Sequence, residues 1–230
     1  MHPDLQAAVE QLYTAFARHP RADRIGYCGH CVSDEEAMVL QRTPLRRLTA
    51  DDLERFTFKL LSTWGDEADL RHFLPRILEL FATGEQHDGH LLTKTLSNVR
   101  YHGAAWGADE LAAVEAYLLA LMRQILTDRG SALKVDAVLE GAAENGHTVE
   151  PYLAVWTREP GETATTHLAW FVEDFGWTFS RDDRYHHEVR AWLRTGLPAH
   201  RLEAAFLATT DPEATRCFGQ ALEQLEFLVV

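Results

Sequence analysis

At 230 residues, 46% of them apolar and 25% charged, the chain can bury a core of ordinary size without disulfide or metal staples. Its 22 Lys and Arg against 35 Asp and Glu give a formal charge of -13, which disfavours phosphate backbones and anionic bilayers, so neither nucleic acid nor a membrane is an expected partner. Three cysteines, two of them close together, do not make a secreted disulfide framework. The start, MHPDLQAAVEQLY, lacks the basic and continuous apolar regions of a secretory signal, and no stretch approaches the roughly 18 apolar residues of a membrane span. A cytoplasmic setting is the expectation.

Apolar residues then recur at helical period along the chain. Leu5, Ala8, Val9, Leu12, Tyr13 and Phe16 share one face. Ser33-Asp34-Glu35-Glu36 has the form of a capping box and predicts a helix start just after two cysteines. Arg42, Arg46 and Arg47 read as a solvated basic helix end. Thr49 with Asp52 forms a second box, opening a helix whose face is Leu53, Phe56, Leu60 and Trp64, with Gly65 placed to stop it. Asp66 can cap the next helix, with Leu70, Phe73, Leu74, Ile77, Leu78 and Phe81 on its face; Pro75 must either kink it or mark its start.

The stretch ADELAAVEAYLLALMRQILTD gives the longest helix, through Leu111, Val114, Leu118, Leu121, Met122 and Ile125. Helical spacing continues at Val135, Val138 and Leu139, at Leu168, Phe171, Val172 and Phe175, and at Tyr185, Val189, Trp192 and Leu193. Asp211-Pro212 opens a last helix with Phe218, Leu222, Leu225 and Val229 on its face. Only GWTFS, residues 176–180, reads as extended, and it has no obvious partner. The expected fold class is all-α, in a single domain over residues 1–230.

Trp64, Trp106, Trp156 and Trp192 are each followed within five residues by a glycine and then by an amphipathic helix. The tryptophans lie 42, 50 and 36 residues apart. That spacing brackets the roughly 40–47 residues of HEAT and armadillo units and predicts an array of antiparallel helical hairpins, either a HEAT-like α-α superhelix or an irregular helical bundle.

The stretch GYCGHCVS is the one that looks like chemistry. A Cys-x-x-Cys turn lets two thiolates converge on one ion, so Cys28 and Cys31 are candidate zinc ligands, half of a tetrahedral site. Completion would have to come from afar, from His72, His87, His90, His102 or Cys217, because no second Cys-x-x-Cys or His pair follows at finger-like distance. A redox dithiol is a second reading, weakened because thioredoxin-like dithiols follow a strand and sit where a helix begins. Two plain turn cysteines are the third. A helix start at Ser33 would lower the thiol pKa and favours both thiolate readings.

Other clusters read more simply. In RDDRYHHEVR, Asp183 and His187 could share a helical face as ligands, but an acidic helix start with two surface histidines explains the run. His87 and His90 flank an Asp-Gly turn. Asp66 and Asp69 are accounted for by capping, Asp69 and Arg76 by an exposed pair, and His72 by a place beside core residues. No G-x-S-x-G, P-loop, G-x-G-x-x-G or H-E-x-x-H occurs.

Over residues 25–80, the segment YCGHCVSDEEAMVL, the PLRRLTADDL helix and TWGDEADLRHFLPR together resemble a group of uncharacterised bacterial proteins with a Cys-rich turn and a TWGD/HFLPR segment. The resemblance implies a bacterial, cytoplasmic setting and no particular activity, substrate or cofactor. A full set of core helices without a catalytic motif makes a non-enzymatic protein-interaction or scaffold domain the expected function, with another protein as partner. The alternative is a zinc metalloprotein held by Cys28 and Cys31, structural or, with an open water position, hydrolytic.

Overall fold

The computed structural model describes residues 1–102, 106–178 and 181–229, and among these the regular structure is helical. In order it runs α1 (Pro3–Phe16), α2 (Asp34–Arg42), a 3-10 turn (Leu45–Arg47), α3 (Ala50–Lys59), α4 (Glu67–Thr83), α5 (Gly89–His102), α6 (Ala108–Thr127), α7 (Val135–Glu144), α8 (Glu150–Arg158), α9 (Glu162–Gly176), α10 (Arg184–Leu193), α11 (Leu197–Ala208) and α12 (Pro212–Val229). No strand forms among the described residues; isolated bridges join Tyr27 and Leu60 to Trp64. Of the extended candidate, Gly176 closes α9 and Trp177 and Thr178 turn, while Phe179 and Ser180 lie outside the described residues.

Local chemistry sets many of the boundaries. Ser33 and Thr49 each cap their helices in reciprocal boxes with Glu36 and Asp52. Asp66 accepts from the amides of Ala68 at 2.8 Å and Asp69 at 3.1 Å, Asp69 reaches back to the Asp66 amide at 3.0 Å, and Gly84 closes α4 in the left-handed conformation at φ 76°. The helix runs through Pro75 without a break, so the proline neither starts nor ends it.

Two boundaries differ from the apolar pattern. The stretch ending at Trp64 is not one helix: α3 stops at Lys59, and the Lys59 carbonyl accepts from Ser62, Thr63 and Trp64 while Leu61 takes φ 64°. Leu53, Phe56, Leu60 and Trp64 are all buried as the spacing predicts, but a turn rather than a helix delivers the tryptophan, whose ring meets Phe56 edge-on at 5.4 Å. The helices α5, α8 and α11 were not singled out by apolar spacing. Helix α8 is nine residues long, and α11 is apolar on more than one face, so neither carries a long one-sided stripe.

The residues form two compact units, Met1–Leu121 and Met122–Val230. In the first, α1 and α3 pack on α4, and α5 packs on both α3 and α4. Leu12, Phe56, Phe73, Leu78 and Tyr117 are fully buried there, and the Tyr117 hydroxyl donates to the Leu78 carbonyl at 2.7 Å. Arg76 is buried, giving its Nε–H to Leu48 at 2.8 Å and pairing with Glu79 at 2.7 Å, while Asp69 is buried as a cap. The two are therefore not the exposed pair their spacing suggested.

In the second unit α9 packs on α12 and α11, and α10 touches α7, α8 and α12. Its centre is Trp156, whose ring stacks on Trp192 at 5.3 Å and meets Phe171 edge-on at 5.2 Å. A solenoid repeat touches only its neighbours. Here α1 packs on α4 and α9 on α12, elements far apart in order, so each unit is a bundle. The Trp-Gly regularity survives only locally: each of the four glycines does precede a helix, α4, α6, α9 and α11.

Candidate functional site: the Cys28–Cys31 turn

Cys28 and Cys31 sit at the two ends of a tight turn between α1 and α2. The Cys28 carbonyl accepts from the amides of Cys31 at 2.8 Å and Val32 at 3.0 Å. Main-chain bonds on the entering side fix the turn to the segment after α3, Cys28 N–H to Thr63 at 2.8 Å and Gly65 N–H to Gly26 at 2.7 Å. On the leaving side, the Cys31 carbonyl accepts from Arg55 at 2.8 Å and Lys59 at 3.0 Å, both on α3. The Ser33 box then starts α2. A turn held from both directions has its backbone fixed.

Cys28 is exposed, Cys31 is half-buried, and both are free thiols. Hydrogen bonding from the His30 and Cys31 amides and from the Cys31 thiol, with Lys59 nearby, lowers the Cys28 pKa from the ordinary thiol value. Cys217, on α12 in the second unit, goes the opposite way because burial penalises its thiolate.

A closed zinc site needs four ligands. Among the described residues no three His, Cys, Asp or Glu side chains gather in a way that could hold a metal ion. His30 has its Nδ1 4.0 Å from the Cys31 sulfur. His72 is committed elsewhere, donating from Nδ1 to the His19 carbonyl at 3.0 Å, and burial lowers its pKa. His87 and His90 are exposed around Asp88, which caps α5, and His102 lies 3.9 Å from Glu67. Among the described residues the two cysteines thus share one turn with no third ligand gathered beside them.

The other clusters resolve into structure. Asp183 caps α10 and accepts from both the amide and Nδ1 of His186, at 2.9 and 2.8 Å, whereas exposed His187 pairs with Asp182 at 2.7 Å. Asp183 and His187 are therefore not co-ligands. His186 is no surface residue but buried, stacked on Phe175 at 5.2 Å, and its Nε2 has no partner among the described residues. His167 borders a cavity of about 320 Å³ with Lys134, Asp136, Trp170 and Asp174. Its Nε2 donates to the Asp128 carbonyl at 3.0 Å and burial lowers its pKa, so its ring is occupied in holding the chain.

One surface escaped the reading of the sequence. Of the twelve residues of α11 only Pro198 and Leu202 are buried, and Leu207 is 82% exposed. Beside it a groove of about 560 Å³ has Leu193, Ala199, Leu222 and Leu225 for its apolar lining and Arg194, Glu203 and Glu226 at its edge. The available signal was LPAHRLEAAFLA, too apolar all round for a helix with a solvated outer face. The chain matches no protein family, no curated protein and no solved structure.

Proposed function

We infer that the chain is a protein-interaction module whose α10–α11–α12 groove takes an amphipathic helix of a partner protein, apolar on one face and basic beside it. The observation that carries this reading is the open apolar face of α11 next to the groove. A helix laid in a groove buries anchors at i, i+3, i+4 and i+7, and the lining of Ala199, Leu222 and Leu225 accepts such a stripe. Glu203 and Glu226 outweigh Arg194 at the edge and, on a chain of formal charge -13, favour lysines or arginines flanking that stripe. Catalysis is not needed to account for these features.

The test is fluorescence anisotropy with two labelled helical peptides, one patterned Leu/Lys and one Leu/Glu. The Leu/Lys peptide should bind saturably and the Leu/Glu peptide should not. Ala199→Arg, which puts a bulky cation on the groove lining, should weaken binding by about tenfold or more. Equal binding by the Arg variant, no preference between the peptides, or a dimer in light scattering with the groove covered would overturn the reading.

A further inference from the structure

The dithiol turn lies in the other unit and is independent of the groove. Its construction joins four features that a metal half-site or a plain turn does not require together. The turn's own hydrogen bonds, from the Cys31 and Val32 amides to the Cys28 carbonyl, set Cys28 and Cys31 at the two ends of one turn. Hydrogen bonding from the His30 and Cys31 peptides lowers the pKa of Cys28. The pair is unequal in access, Cys28 open to solvent and Cys31 half-covered. The frame is fixed through Thr63, Gly65, Arg55 and Lys59 rather than through a preceding strand.

We propose that Cys28 and Cys31 are a thiol–disulfide exchange pair that reduces low-molecular-weight disulfides bearing carboxylates, with Cys28 attacking and Cys31 resolving. The unequal access assigns the roles: the attacking sulfur must meet a solvent-borne disulfide, and the resolving sulfur need only meet its neighbour. The carboxylate preference follows from Lys59 and Arg55, the cations against the turn, acting at short range against the chain's formal charge of -13, although Arg55 is shared with Glu36. The lowered pKa of Cys28 raises its thiolate fraction at neutral pH and so supports the assignment.

The exchange balances as two displacements. The Cys28 thiolate attacks one sulfur of RSSR, the S–S bond breaks, and the departing RS⁻ takes a proton from water, leaving Cys28–S–S–R. Cys31 then gives its proton to solvent, and its thiolate attacks the Cys28 sulfur. The second RS⁻ leaves and is protonated, and the Cys28–Cys31 disulfide forms. Two electrons pass from the dithiol to the disulfide, which becomes two RSH.

The experiment uses the full chain in glutathione buffers of graded reduced-to-oxidised ratio, quenched with acid, alkylated with a maleimide and read by intact mass and peptide mapping. The expected result is one two-electron transition that removes two alkylatable thiols together, links Cys28 to Cys31 and leaves Cys217 free. Cys31→Ser should accumulate the glutathione mixed disulfide on Cys28, and Cys28→Ser should abolish the linked product. Iodoacetamide should modify Cys28 with a pH midpoint below the ordinary thiol value of about 8.5. At low salt, oxidation by glutathione disulfide should outpace oxidation by the cationic disulfide cystamine by about threefold or more.

Separate glutathione adducts on both cysteines without the linked form would overturn the proposal. So would cysteines that stay reduced in fully oxidised glutathione, or one tightly held zinc per chain that blocks alkylation. The wild-type mass measurement decides this even if a variant folds poorly. Cystamine reacting as fast as glutathione disulfide would overturn the carboxylate preference.

Discussion

Truncating Trp156 to alanine tests the account of the second unit most directly. The indole is fully buried, its Nε1–H donates to the Ala164 carbonyl at 3.0 Å, and its faces and edges are occupied by Trp192 and Phe171. Removing a buried aromatic costs about 3–5 kcal/mol in transfer and cavity terms. Two ring partners, held at interplanar angles of 29° and 67°, and a hydrogen bond worth about 1 kcal/mol place this site at the upper end, near 5 kcal/mol. That approaches the whole stability of a small unit, about 5–15 kcal/mol. With a urea slope of about 2 kcal/mol per molar, the midpoint of the second unit should fall by about 2–3 M in far-UV circular dichroism. Trp156→Phe keeps a ring and should lose only about 1–2 kcal/mol. A loss below about 1 kcal/mol for the alanine variant would refute the claim that this indole centres the unit.

Gly65 and Gly84 both hold left-handed backbone, at φ 74° and 76°, yet a Cβ at Gly65 would lie 3.0 Å from Phe56 and 3.1 Å from Leu60, whereas at Gly84 nothing lies within 4 Å. Gly84→Ala should cost about 1–2 kcal/mol and Gly65→Ala at least about 1 kcal/mol more, compared by thermal unfolding. Asp66→Ala, which strips two amides of their acceptor at the start of α4, should cost about 1 kcal/mol. Burial would raise the Glu110 pKa, but hydrogen bonds from His19, the Gly107 amide and Arg18 hold it below the usual carboxylate range. A depressed carboxylate stabilises above its unfolded value of about 4.3 and loses that contribution as pH falls through the folded value. Glu110→Gln should therefore cost about 1–3 kcal/mol at pH 7, with the gap to wild type closing below about pH 4.

The sequence by itself determined most of the helices and several of their starts. A cap works through side chains and amides two or three residues apart, so Ser33, Thr49, Asp66 and Asp211 announce α2, α3, α4 and α12 without knowledge of the rest. A one-sided apolar stripe also reports burial, which is why Leu53, Phe56, Leu60 and Trp64 were legible as core. It could not report where α3 ends, because Leu60–Trp64 is turned by main-chain bonds to Lys59 and by the bridge from Tyr27, a segment over thirty residues away.

The same limit governed the sites. Spacing showed that Cys28 and Cys31 share a turn; only tertiary structure decided that Arg55 and Lys59 of α3 hold it through the Cys31 carbonyl. His186 and His187 are adjacent in sequence and opposite in fate, one buried on Phe175 and one paired with Asp182 in solvent, because successive helical residues point about 100° apart. The groove beside α11 was invisible for a related reason: an apolar helix states how much surface it would bury, and only packing decides which part stays uncovered.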